Sequence, residues 1–498
     1  MVKGSTEAPE IADRLAMRAA DRARPRTRLP AWVGRPGTRG RVWLLTVLCL
    51  VLIGVLFAVT GSAIARSRDG LDVIGRDEGP KVVATADLYF ALSDMDAQMA
   101  NVLLMGSDRS LGDGREAAVD RYEQRRSDAT DALLHAAQLA EGDTTDEENV
   151  RAVMEDMTRY ENLVSQARLL SDEAGRPAGS QPEEVVRLYQ RAGELMRRDL
   201  LPKAYNLTLD SGATVRSTYQ ENSSAASVRM ALVAGAATAL VAALLALQRF
   251  LRTRFRRRYN IPLAAATIGV LVLGLGAVGM LEQQAALLRS AKADGLDSVL
   301  ALSRARAIST GMNADQSRWL MNPGRADIYE QNFLEDAQMV VFLVPDGDAP
   351  PGDLEGYTAE VGEAVPDHTD YPGQLIGLLG EEVRAGGVEG REQVQRRTLR
   401  DYSAYLDADQ RMRDLAEEEG AAAAIDARMG GGDSVADRFD RYERSLVQLT
   451  SLHINTFDTA VADARAGLRG WDAILPGACL AFAALVVLGV RPRLAEYR

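Results

Sequence analysis

Residues 42–65 read VWLLTVLCLVLIGVLFAVTGSAIA, a run of 24 residues without a charged side chain. An α-helix needs about 20 mostly apolar residues to cross the hydrocarbon core of a bilayer. Three more uncharged runs cover residues 230–248, 259–281 and 473–490. A buried core helix is the alternative for each run, but soluble cores seldom keep such a run apolar on every face. The chain is therefore predicted to cross a membrane four times. The first span is interpreted as a signal anchor rather than a cleaved signal peptide.

The basic segments predict the orientation of these spans. Residues 1–41 hold nine Arg and one Lys against four acidic residues, and residues 491–498 carry three Arg. Residues 249–258 contain six Arg within ten residues. Cytoplasmic segments are enriched in Arg and Lys, and four crossings place all three segments on that side. We therefore predict a multi-pass protein of the cell membrane with both termini in the cytoplasm.

Residues 66–229 and 282–472 are then predicted to lie outside the membrane. The formal net charge of −12 must come from these two segments, because the cytoplasmic segments are basic. An acidic exterior argues against nucleic acid as a partner. Both cysteines lie within uncharged runs, so the outer segments are expected to fold without a disulfide.

The two halves of the chain match when one is shifted along the other. An offset of 216 residues places Met105 on Met321, and further along an offset of 242 places Arg249 on Arg491. The extra residues of the second half are attributed to a Pro-rich region at about 344–373, whose composition is typical of a loop. We therefore predict a duplicated unit of span, outer segment and span.

Each outer segment is predicted to be helical, because Ala, Leu, Met, Arg and Glu dominate the first and few windows alternate with period two. Breaks at 106–114, 142–145 and 175–182 divide the first segment into four helices. Breaks at 322–324, at the Pro-rich region and at 430–432 predict the same number in the second. Residues 339–344 are interpreted as a buried helix end. The predicted fold is all-α, with four transmembrane helices and two tandem extracytoplasmic four-helix bundles.

No catalytic motif is evident, and the chain is not predicted to be an enzyme. Residues 274–279 read GLGAVG, the spelling of a dinucleotide fingerprint, but they lie inside an uncharged run with no strand before them. Small residues there are interpreted as sites of close helix approach. The three histidines are scattered, so neither a metal nor another cofactor is predicted. The spans contain no acidic or basic residue, which argues against transport.

Residues 312–324 form the most polar stretch of a predicted outer helix. Within it, Arg318 beside Trp319 would suit a carboxylate, since a guanidinium binds one through two hydrogen bonds. Asn313 and Asp315 complete the predicted ligand-binding set. The alternative is a solvated helix face with Trp319 in the core.

The Arg-rich segment 249–258, which we call the basic turn, is predicted to bind anionic lipid or an acidic cytosolic partner. Its candidate docking residues are Arg249, Arg252, Arg254, Arg256, Arg257 and Arg258. The alternative to partner docking is a topogenic role, in which the turn keeps the loop in the cytoplasm and binds anionic lipid.

The layout of span, four-helix outer bundle and span is similar to bacterial chemoreceptor and histidine-kinase sensor domains. The duplicated form and the segment ADQSRWLMNPGRA at 314–326 resemble one actinobacterial family, the membrane component of a glutamate-sensing system. In that family a solute-binding lipoprotein senses aspartate or glutamate outside, and the membrane component signals to a soluble Ser/Thr protein kinase inside. The resemblance implies these two partners for this chain and carries over no ligand residues.

These features favour a transmembrane signal transducer. It would sense an extracytoplasmic small molecule, such as an acidic amino acid, or its binding protein, and relay a conformational shift to a cytosolic effector kinase. The alternatives are a structural or scaffolding envelope protein that organises a membrane complex, and a transport accessory. Homo-oligomerisation is left open.

Overall fold

A computed structural model describes residues 38–108, 111, 114–140, 144–255, 260–344, 352–365, 375–384 and 391–495. It is 92% helical. Four helical stretches are long and apolar enough to cross a membrane, namely Gly40–Met105, Glu183–Thr253, Ile261–Met321 and Val435–Arg491. This confirms the prediction of a helical protein with four helices able to span a membrane.

The helices follow one another with short breaks. The first half contains α1 (Thr38–Asp72), α2 (Gly79–Met105), α3 (Gly114–Leu139), α4 (Thr144–Ala174), α5 (Glu183–Leu195) and α6 (Leu201–Phe255). The second half contains α7 (Ile261–Arg289), α8 (Asp297–Met321), α9 (Ala326–Val340), α10 (Leu354–Ala364), α11 (Gly377–Arg384), α12 (Arg391–Glu418), α13 (Ala421–Met429), α14 (Val435–Leu468) and α15 (Trp471–Ala495). The three breaks predicted in the first outer segment separate α2, α3, α4 and α5, so they are confirmed.

The second outer segment differs from the prediction in three ways: in the number of its helices, in a helix within the predicted Pro-rich loop, and in a strand at 342–343. It has seven described helices, α8 to α14, rather than four. The Pro-rich region contains α10, whose first turn is capped by Asp353 accepting a hydrogen bond from the Gly356 amide. The rest of that region, 345–351 and 366–373, lies outside the described residues. Residues 342–343 are not a helix end but the strand β1 (Phe342–Leu343), which pairs antiparallel with β2 (Leu375–Ile376).

The described residues within 38–58, 234–275 and 473–495 form one compact unit, which is helical. Within it Gly269 packs against Phe482, and a Cβ at this position would overlap Phe482 Cε1. A Cβ at Gly274 would lie 2.8 Å from Ala237 Cβ. Small residues therefore allow helices of this unit to touch at Gly274, as predicted. The same prediction does not hold for Gly276 and Gly279, where a Cβ would meet no described atom within 4 Å.

Residues 59–233 and 276–472 form the second compact unit, which we call the outer unit. One hydrophobic core includes buried residues from both of its segments, for example Leu92 and Tyr160 from the first and Leu302 and Tyr402 from the second. The most extensive packing between the two segments is that of α2 against α8. The two outer segments therefore share a core.

Single π-helical segments interrupt the helices that lead into this core. One covers Val73–Glu78 between α1 and α2, and another covers Ser290–Leu296 between α7 and α8. Their first residues, 73 and 290, are 217 positions apart, close to the 216-residue offset found in the sequence. A third π-helical segment, Met196–Leu200, joins α5 to α6. Such segments are frequent at functional sites.

Candidate functional site

The four predicted ligand-binding residues all lie in the last three turns of α8. Asn313, Asp315 and Arg318 are buried, and Trp319 is partly buried. The polar stretch is therefore not a solvated helix face. It packs against α2, which itself buries charged side chains, including Asp96. Buried polar groups need partners, so this interface must supply its own hydrogen bonds and ion pairs.

Arg318 connects two buried carboxylates. Its Nη1 lies 2.5 Å from Asp315 Oδ1, and its Nη2 contacts Asp96 Oδ2. Asp315 is 0% exposed and also accepts from Arg197, with Nη2 2.6 Å from Oδ2. Burial alone would lower the pKa of Arg318, but Asp96, Tyr189 and Asp315 raise it well above the usual value. The guanidinium therefore stays charged, and we call these four charged residues the Arg318 network.

Two tyrosines complete the hydrogen bonding of Asp96. The Tyr160 hydroxyl donates to Asp96 Oδ1 at 2.9 Å, and the Tyr189 hydroxyl lies 3.1 Å from the same oxygen. Burial, with the neighbouring Asp96 among the further causes, raises the pKa of both phenols well above 10. Both tyrosines therefore remain neutral donors. They come from α4 and α5, so these contacts join α2, α4 and α5 of the first segment to α8 of the second.

The other two predicted residues lie outside this network. The Asn313 backbone carbonyl oxygen accepts from Arg428 Nη2 at 3.0 Å, and Arg428 is fully buried. Trp319 packs against the guanidinium of Arg413, whose Cζ lies 4.9 Å from the ring centroid. The structure thus brings Asp315 and Arg318 together and does not bring Asn313 or Trp319 to the same place.

A cavity of about 220 Å³ opens beside the Arg318 network. Four arginines line it, and Glu194 is the acidic residue among its lining side chains. Arg325 lies 3.6 Å from Glu194, whereas Arg198 is exposed and makes no ion pair among the described residues. Tyrosine and amide groups add hydrogen-bonding capacity. The lining also includes Arg197, Arg318, Tyr189, Tyr329 and Asn332. Arg197 and Arg318 are paired with the carboxylates of the network, so Arg198 supplies the guanidinium that has no counter-ion among the described residues and makes this cavity suited to an anion.

Asp336 is a further titratable group near the network. It lies on α9, four residues beyond the cavity residue Asn332, and is partly buried. Burial and then the charge of Asp315 raise the pKa of Asp336 to about 7, although Arg197 and Arg318 oppose the shift. Its charge therefore changes near neutral pH.

The residues that the first outer segment contributes to this site were not predicted from the sequence. Tyr160 and Tyr189 belong to helices with ordinary amphipathic sequences, and Arg197 and Arg198 follow in the π-helical segment Met196–Leu200. Asp96 lies in α2, which is apolar and buried on nearly every side. Acidic residues within the apolar stretch of α2 were the available signal, because a buried Asp requires a cationic partner.

Within the described ranges, no group of three or more His, Cys, Asp or Glu side chains is arranged to hold a metal ion.

The predicted cytoplasmic docking residues are only partly described. Arg249 and Arg252 are exposed near the end of α6. Arg254 lies in the same helix. Arg256, Arg257 and Arg258 lie outside the described residues.

Residues 70–220 match the family described as the actinobacterial sensor domain. This range runs from the end of α1 into α6 and includes Asp96, Tyr160, Tyr189, Arg197 and Arg198. Neither the curated proteins nor the solved structures contain a match to the chain. The family match supports an actinobacterial sensor protein, and with the four apolar helices it fits a multi-pass membrane sensor.

Proposed function

We propose that this protein is a transmembrane signal transducer that binds a small carboxylate, such as an acidic amino acid, in the cavity beside Arg318. The main support for this proposal is that guanidinium groups from both outer segments line one cavity. Arg197 and Arg198 come from the first segment, and Arg318 and Arg325 come from the second. An anion bound there would contact both segments at once and would favour the arrangement in which they are close.

The size of the cavity agrees with a ligand of about the size of an amino acid. Its volume of about 220 Å³ is below the range of roughly 300–1,000 Å³ that is usual for drug-sized ligands. Arg318 is already paired with two carboxylates, so we assign direct carboxylate binding to Arg198 and Arg325. Tyr329 and Asn332 would bind the remaining polar groups of the ligand.

We also propose that the chain arose by duplication of a span, bundle and span unit. Two observations support this. The helices α2 and α8 end at Met105 and Met321, which are related by the 216-residue offset. Asn101 and Ser317 are related by the same offset and hydrogen-bond to each other, with Oγ 2.7 Å from Oδ1. Equivalent residues that touch are expected near a pseudo-twofold axis.

In the proposed orientation, the outer unit is extracytoplasmic, and both termini and the basic turn are cytoplasmic. Helices that continue from the apolar runs into the outer unit would carry a shift across the membrane to a cytosolic Ser/Thr kinase. A solute-binding lipoprotein is the proposed alternative source of the signal.

The orientation is tested by cysteine labelling in intact cells. Arg252→Cys should react with a membrane-impermeant thiol reagent only after the cells are opened, because Arg252 is exposed near the basic turn. Arg191→Cys, at an exposed position of the outer unit, should react without opening the cells. Labelling of Arg252→Cys in intact cells would contradict the proposed orientation.

The ligand test uses the full chain in lipid nanodiscs, titrated with glutamate, aspartate and glutamine by calorimetry. Arg325→Gln and Arg198→Gln should each weaken glutamate binding by about tenfold or more, because each removes a charge-assisted hydrogen bond. Arg191→Gln is the matched control, since Arg191 is exposed on α5 and does not line the cavity. Equal affinity for glutamine and glutamate, or equal loss in all three variants, would contradict a site for acidic amino acids.

The relay is tested separately by crosslinking in membranes. Arg249→Glu together with Arg252→Glu should reduce recovery of a cytosolic kinase without changing glutamate binding. Failure to recover any kinase from the wild-type protein, combined with a cell-wall defect and a normal nutrient response on deletion, would favour a scaffolding role instead.

A further inference from the structure

A second cavity of the outer unit lies beside the ends of the uncharged runs. Its volume is about 190 Å³, and it is lined by side chains from α1, α6 and α7. Among these, Arg229 directly precedes the run 230–248, and Gln284 follows the run 259–281 by three residues. The cavity is therefore at the level where the predicted spans end.

Arg229 is a buried cation with only neutral partners. It is 8% exposed, and its Nη2 donates to the Asn222 carbonyl oxygen at 2.6 Å. Its Nε and Nη1 contact the Ala225 carbonyl oxygen and Asn222 Oδ1, each at 3.3 Å. No carboxylate pairs with it among the described residues. Burial and the charge of Arg66 lower the pKa of Arg229. A buried charge without a counter-ion is unfavourable, so the site is incomplete without an anion.

Gln284 supplies an unused acceptor in the wall of the same cavity. It is 5% exposed, and its Nε2 donates to the Ala464 carbonyl oxygen at 2.9 Å. Because a carbonyl oxygen can only accept a hydrogen bond, the Gln284 amide nitrogen must face Ala464, and Gln284 Oε1 must point away from it. Gln284 Oε1 has no donor in the part of the chain that the structure describes. It would accept a hydrogen bond from a hydroxyl or ammonium group.

The rest of the cavity is amphipathic. Leu71, Met230, Leu281 and Leu288 form an apolar part of the wall, while Arg289 adds a second cation. A free inorganic anion would satisfy Arg229 but leave the leucines without a partner. A molecule with both an anionic group and hydrocarbon chains matches both parts.

We propose that this cavity binds the head group of an anionic phospholipid. The phosphodiester pairs with the guanidinium of Arg229, and a head-group hydroxyl donates to Gln284 Oε1. The volume of about 190 Å³ holds a head group but not two acyl chains, so the chains extend along the apolar side chains into the bilayer. This site is separate from the basic turn at 249–258, and it does not depend on the carboxylate cavity or on a kinase.

The test measures lipid binding to the full chain in detergent by native mass spectrometry. The probe is phosphatidylglycerol, compared with a diacylglycerol of the same chains and with soluble glycerol phosphate. Phosphatidylglycerol should bind, the diacylglycerol should bind at least about tenfold more weakly, and glycerol phosphate at the same concentration should not compete. Equal binding of the diacylglycerol removes the role of the phosphate, and effective competition by glycerol phosphate identifies a soluble anion site instead.

Two variants place the lipid at this cavity. Arg229→Gln should reduce phosphatidylglycerol binding about tenfold or more, whereas Arg216→Gln, at an exposed position on the same helix, should not. Ala226→Phe fills the cavity and leaves Arg229 in place, so it should also abolish phosphatidylglycerol binding. If Arg229→Gln does not fold, the Ala226→Phe variant alone tests whether the lipid binds in this cavity. Retained binding in Ala226→Phe would overturn the proposal.

Discussion

Replacing Arg318 with Met tests whether the buried network is held together by charge pairing. The substitution keeps most of the side-chain volume and removes the guanidinium. Asp315 would retain Arg197, whose Nη2 lies 2.6 Å from its Oδ2. Asp96 would lose the one ion pair it makes among the described residues and keep only the hydroxyl groups of Tyr160 and Tyr189.

Removing one partner of a buried ion pair typically costs about 3–5 kcal/mol, because the other charge stays buried without compensation. The two remaining tyrosine hydrogen bonds place the expected loss near the lower end, at about 3 kcal/mol. Adding Asp96→Asn removes the unpaired charge and should restore about 2 kcal/mol.

The assay is urea unfolding of the detergent-solubilised full chain, followed by fluorescence. Arg191→Met is the control, because Arg191 is exposed on α5 and makes no ion pair among the described residues. A stability of Arg318→Met within about 1 kcal/mol of wild type would show that charge pairing does not hold the network together, and this role of Arg318 would then be refuted. This role is also refuted if Asp96→Asn makes the Arg318→Met variant less stable rather than more stable.

Three further substitutions test other buried contacts by the same unfolding assay, run at several pH values. Glu382 Oε1 lies 2.6 Å from His453 Nε2 and accepts a hydrogen bond from Gln395 Nε2 at 3.2 Å. Although burial opposes the shift, these contacts lower the pKa of Glu382, so Glu382→Gln should destabilise at pH 7 and match wild type as the pH falls well below 4.5. Burial raises the pKa of Asp336 from 3.8 to about 7, so the wild-type protein loses stability as the pH rises between these values. Asp336→Asn should therefore be more stable than wild type at pH 8. The difference in unfolding free energy between the two proteins should be about 2–3 kcal/mol smaller at pH 5 than at pH 8. Gly295→Ala should cost about 1–3 kcal/mol, because its Cβ would lie 2.8 Å from Phe457 Cβ.

Matched controls make these three results interpretable. Gly279→Ala adds a Cβ with no neighbour within 4 Å and should leave stability nearly unchanged. Glu335→Gln, next to Asp336 but exposed, should show no comparable change between pH 5 and pH 8. A pH-independent effect of Glu382→Gln or of Asp336→Asn would show that the titration of these carboxylates is not linked to folding.

The predicted functional residues show which part of the candidate site can be predicted from the sequence. Arg318 was identified because an arginine inside a polar stretch suits a carboxylate. The structure shows that its carboxylates include Asp96, a residue 222 positions away. Trp319 is next to Arg318 in the chain but packs against Arg413, because neighbouring residues of a helix point about 100° apart.

Sequence alone determined the four apolar helices, the helical character of the outer segments and the breaks between the helices of the first segment. These features depend on hydrophobic run length and on local helix-breaking residues, which act over short stretches of chain. Three features became visible in the folded chain alone: α2 and α8 share one core, residues 342–343 pair as a strand, and four arginines meet at the cavity beside Arg318. Those features depend on contacts between residues far apart in the chain, where burial selects the partner of each charge.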